Sequence, residues 1–153
     1  MTRLTRRTSL GLLLSAPALV SFARRAAAKE PEIYTEDGLA INGSDPVAYF
    51  DAKGPVRGMA EHALSWNGAE WRFASAANAE AFRAAPDRYA PQFGGYCAYA
   101  ASRGYLAPTI PKAWTLHDGQ IFLNASLRAR ELWLRDVPGN IAKGRANWPG
   151  ILG

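Results

Sequence analysis

Two dipeptides constrain the fold of this chain more than any other feature. Asn67-Gly68 stands between HALSW and AEWRF, and Asp118-Gly119 stands between AWTLH and QIFLN. Both pairs suit the positive backbone angles of a two-residue hairpin turn, whose twist matches that of the strands on either side. The flanks are rich in aromatic and β-branched residues, so two β-hairpins are predicted. A serine follows each: Ser75 before AANAEAFRAA and Ser126 before LRARELWLRD. A serine hydroxyl in that place accepts a hydrogen bond from a free N–H of a helix's first turn. Phe82 and the alanines give the first helix its apolar face, and Leu127, Leu132, Trp133 and Leu134 give the second. Pro86 and Pro138 end the two helices.

An offset of 51 maps Gly68 to Gly119, Trp71 to Phe122, Ser75 to Ser126 and Phe82 to Trp133. Either a hairpin-plus-helix unit is used twice, or a small domain has produced a coincidence. Both alternatives lead to one class: a single α+β domain, in which two β-hairpins form a small antiparallel sheet packed with short helices.

The first 28 residues stand apart. Thr5-Arg6-Arg7-Thr8-Ser9-Leu10 resembles a twin-arginine export signal, with Ser9 where an aromatic residue is preferred. The apolar run Leu10 to Val20 is too short to span a bilayer comfortably, and it leads to a small-residue site at Ala26-Ala27-Ala28. A cleaved signal and a periplasmic product follow, with no membrane anchor after cleavage. Five of the 18 basic residues precede Lys29, where no acidic residue stands, so the remainder holds 13 of each sign. The basic character therefore belongs to the leader, and no basic stripe suggests nucleic acid. Residues 29–37 are polar and read as a flexible lead, 38–153 as the domain, and WPGILG as a tail that docks by Trp148.

Three short segments complete the pass. Asp45-Pro46-Val47-Ala48-Tyr49-Phe50 reads as a capped helical turn with Asp45 at the N-cap. Pro86-Asp87-Arg88-Tyr89 begins another. Gly95 to Ser102 reads as a short helix that ends before Gly104.

GSDPVAYF, WNGAEWRFASAANAEAFRAAPDRYAPQFGGYCAYA and WTLHDGQIFLN together resemble YHS-domain proteins, most of all their exported bacterial branch. The resemblance runs from about Gly38 to Trp148. Shorter YHS domains are associated with metal binding through cysteines in a pattern of Asp-Pro-Val-Cys, Phe-Cys-Ser and a further cysteine. The matching positions here are Ala48, Ala74 and Asn78, so that ligand set is not transferable.

The chemistry then rests on Cys97, the sole cysteine, which has no partner for a disulfide within the chain. Placed in the first turn of a helix, its thiol would be drawn toward the thiolate; packed among alanines, it is an ordinary small core residue. Gly94 and Gly95 would let a ligand approach the backbone, and Tyr96 and Tyr99, with Tyr89 and Phe93, would line a pocket for it. His62 and His117 lie on the two hairpins; with Cys97 they would suit copper or zinc if the fold brought them together. The resulting expectation is a periplasmic binding or accessory protein, not an enzyme, that handles a metal ion or small molecule near Cys97, with a periplasmic protein as a further partner. The alternatives are single-cysteine thiol redox chemistry and a structural interaction module.

Overall fold

Both turn dipeptides sit at the tips of hairpins in the computed structural model, which describes residues 27–51 and 54–153. The export signal lies outside the described residues apart from Ala27 and Ala28. Strands β3 (Met59–Trp66) and β4 (Ala69–Phe73) flank Asn67-Gly68, and β5 (Trp114–His117) and β6 (Gln120–Leu123) flank Asp118-Gly119. All four turn residues have positive φ, from 47° to 79°. This is the double left-handed geometry that Asn-Gly and Asp-Gly tolerate best.

The α+β class stands, but the sheet is divided. One sheet has the order β1-β2-β4-β3, where β1 (Thr35–Glu36) and β2 (Leu39–Ala40) form a further hairpin and β2 runs parallel to β4. The other contains β5 and β6 alone. Residues 29–37 are therefore not a loose lead. Ile33 is buried in the core, Thr35–Glu36 is a strand, and the Glu30 N–H donates to the Leu152 carbonyl at 2.8 Å.

Helices α2 (Ala76–Ala84) and α5 (Leu127–Leu134) follow the hairpins as expected. Ser75 Oγ accepts from Asn78 N at 3.1 Å, and Ser126 Oγ accepts from Ala129 N at 3.0 Å. Beneath these caps, Trp71 meets Phe82 with ring centroids 4.9 Å apart and planes at 32°. The corresponding Phe122 and Trp133 lie 5.0 Å apart at 34°. All four side chains are essentially inaccessible, and each contributes roughly 1.5–3 kcal/mol of hydrophobic stabilisation.

The repeat extends upstream of both hairpins. Ile41, Asn42 and Gly43 have φ of 50°, 50° and 80°; Phe93, Gly94 and Gly95 have 56°, 61° and 83°. Each turn closes alike, with Ser44 N donating to Ile41 O at 2.9 Å and Tyr96 N to Phe93 O at 3.0 Å. Asp45 and Cys97 come next, as N-terminal caps of α1 (Ala48–Asp51) and α4 (Ala98–Arg103). Coincidence does not reproduce a turn, a cap, a hairpin and a stacked aromatic pair in the same order. The unit is present twice.

Two cores result, and β6 separates them. Ile121 and Leu123 join Trp71, Phe73 and Phe82, while Phe122 joins Phe93, Trp133 and Ile141. Adjacent strand residues point to opposite faces, so one strand serves both. Of the four residues assigned to the apolar face of α5, only Trp133 is buried; Leu127 and Leu134 are exposed. The two prolines end one helix and also open the next: Pro86 begins α3 (Pro86–Tyr89), and Pro138 lies in the first turn of α6 (Val137–Asn147). Trp148 docks as expected, against Phe93 and Tyr96.

Candidate functional site

The Gly94-Gly95 turn holds the N-terminal segment in place. A side chain at Gly94 would overlap the carbonyl oxygen of Glu32, so only glycine lets the two backbones meet there. Tyr34 N donates to Gly94 O at 2.9 Å, and the Tyr96 hydroxyl donates to Pro31 O at 2.9 Å. The glycine pair thus receives residues 31–34 of the same chain.

Cys97 lies beyond this turn, at the N-cap of α4 and not within its first turn. It is 2% exposed. Its Sγ accepts from Ala100 N at 3.4 Å and donates to Asn124 Oδ1 at 3.4 Å, while its own N–H donates to Ala107 O at 3.0 Å. Asn124 is fully buried and also accepts from Tyr99 N at 3.0 Å, which ties α4 to the end of β6. Every polar group of Cys97 is engaged, so its sulfur acts as a structural acceptor. Asn124 was not apparent from the sequence. Its only signal was an amide directly after the apolar run QIFL.

The residues present do not fit a thiolate metal site. Ala48 and Ala74 offer no ligand atom, and Asn78 Nδ2 donates to Asp45 Oδ2 at 2.7 Å. The Asp45 carboxylate is fully buried; Oδ2 also accepts from Ala74 N at 2.8 Å, and Oδ1 accepts from Val47 N at 2.8 Å and Ala48 N at 3.2 Å. Four donors saturate it. Cys97, His62 and His117 do not converge either: His62 is on β3, and His117 is on β5 in the other sheet, 3.3 Å from Asp118 Oδ2. Among the described residues, no group of three His, Cys, Asp or Glu side chains is placed to hold a metal.

What the turn does build is a cavity of about 530 Å³, within the range of small-ligand sites. Glu30, Pro31 and residues 33–36 form one wall, and Tyr96 with Leu106, Ala107 and Pro108 forms the other. Tyr34 and Tyr96 meet with ring centroids 5.5 Å apart. Of the five residues assigned to a ligand site, only Tyr96 lines this cavity. Gly94 borders a smaller one of about 220 Å³ beside Trp148. Tyr99 is turned to Arg103, whose guanidinium lies 5.0 Å from its ring centroid and donates to its hydroxyl.

Both phenols of the cavity are held in the neutral form. Burial, with the hydrogen bond from the Tyr34 hydroxyl to Glu36, pushes the Tyr34 phenol up to about 12. Burial, with the negative charge of Glu30, also raises that of Tyr96. Neutral aromatic walls, two carboxylates and an apolar floor suit reversible binding.

No curated protein and no solved structure matches the chain. The family model described as YHS domain matches residues 47–93, from the Asp45-capped turn through the first hairpin to Phe93. A YHS domain therefore occupies the first of the two units, and the cavity is lined by residues on either side of it in the sequence.

Proposed function

We propose that this chain is a periplasmic binding protein that holds a small organic molecule in the cavity lined by Tyr34 and Tyr96, and that it is an accessory component and not an enzyme. The cavity of about 530 Å³ carries this reading. It is next to the glycine turn and one residue from Cys97, whose bonds to Ala107 and Asn124 fix the wall opposite the N-terminal segment. The twin-arginine-like leader supports export as a folded domain. Thiol redox chemistry is less well supported, because Cys97 is buried and hydrogen-bonded.

The protein is purified from the periplasm and denatured, and the released small molecules are identified by mass spectrometry beside those from Tyr96→Ala. An organic molecule present with the wild type and depleted from the variant is expected. A wild type that releases none, and whose melting temperature no fraction of a periplasmic extract raises, would refute the reading.

A further inference from the structure

The composition of the cavity walls narrows the ligand, given the reading that this cavity is the binding site. Glu30 and Glu36 both line it, and among the described residues no Lys, Arg or His does. The phenolic protons are already committed, Tyr34 to Glu36 and Tyr96 to the Pro31 carbonyl. Neither hydroxyl is free to donate to an anionic ligand. Ile33, Leu106 and Pro108 supply apolar surface. An anion would meet two carboxylates without a counter-charge, and a neutral polar molecule would find acceptors in excess of donors. A cation is attracted by both carboxylates.

We infer that the cavity beside Tyr34 and Tyr96 takes a small organic cation, an amine or quaternary ammonium carried on an apolar body. The positive group lies toward Glu30 and Glu36, and the body rests on Ile33 and Leu106. No covalent step is involved.

The test uses the mature protein and two isosteric sets, phenethylamine with 2-phenylethanol and phenylacetate, and benzyltrimethylammonium with neopentylbenzene. Affinity is read by calorimetry, and site occupancy by the ring resonances of Tyr34 and Tyr96. The cations are expected to bind about tenfold tighter than their neutral isosteres, as two exposed carboxylates would provide. The double variant Glu30→Gln, Glu36→Gln keeps an acceptor for Tyr34 and should lose that tenfold for the cations while leaving the neutral compounds unchanged. Added salt should weaken only the cations. If neutral or anionic members shift the two tyrosines as strongly as the cations, the inference fails while the cavity remains a binding site. If no cation shifts them, the inference fails outright, and the periplasmic extract then decides the broader reading.

Discussion

Asp45 offers the sharpest test of how this fold is held together. Its fully buried carboxylate accepts from Val47 N, Ala48 N, Ala74 N and Asn78 Nδ2 at 2.7–3.2 Å, joining the first helical turn, the end of β4 and the start of α2. In Asp45→Asn one oxygen still serves the helical turn, but an NH₂ now faces the Ala74 N–H and the Asn78 amide, which can flip to accept from it. One bond is lost and one buried donor is left unpaired, a cost of roughly 2–3 kcal/mol. Asp45→Ala strands all four donors and is expected to cost roughly 4–5 kcal/mol. For a domain of this size the asparagine variant should melt about 10 °C below wild type. Urea unfolding followed by circular dichroism measures both variants. A cycle with Asn78→Ala should give a coupling of roughly 1–2 kcal/mol. If Asp45→Asn unfolds within about 0.5 kcal/mol of wild type, the carboxylate does not fasten the three elements and the reasoning is wrong.

Two further outcomes concern Tyr34 and Cys97. Because the Tyr34 phenol is raised to about 12 in the folded chain, against about 10 when unfolded, the unfolded state loses this proton first; stability should hold to about pH 10 and fall from there through pH 12. Tyr34→Phe should flatten that fall, as read by unfolding at stepped pH beside absorbance titration of the phenols. Cys97 should react with iodoacetamide at least about a hundredfold more slowly in the native protein than in denaturant, and Cys97→Ala should cost about 1–2 kcal/mol through the lost cap and small void. Rapid native alkylation would restore the thiol reading.

The elements that announced themselves did so through local chemistry. Asn67-Gly68, Asp118-Gly119, Ser75 and Ser126 dictate φ or a hydrogen bond within three residues, and their structural roles follow directly. Asp37-Gly38 carries the same signal, with φ of 51° and 80°, but its strands are only two residues long and the polar context hid them. Helix α6 was not legible, since Val137-Pro138-Gly139 and Gly144 have poor helix propensity. It forms because Asp136 caps it and Gly144 leaves room for the Phe93 ring. The exposure of Leu127 and Leu134 reflects a helix that buries little beyond one tryptophan. As for the site, the glycine pair and Tyr96 were visible, but the cavity was not. Its walls are separated by some 70 residues, and hydrogen bonds from Tyr34 and Tyr96 bring them together.

One strand shared by two hydrophobic clusters has a consequence for how the molecule fails. Damage to β6 cannot be confined to one half, because Ile121 and Phe122 are neighbours whose removal opens different interiors. The halves follow one another along the chain, and their shared strand is expected to make them open as a single foldon. Mutations scattered across both would erode one common free energy of opening, and neither repeat could be lost while the other persists.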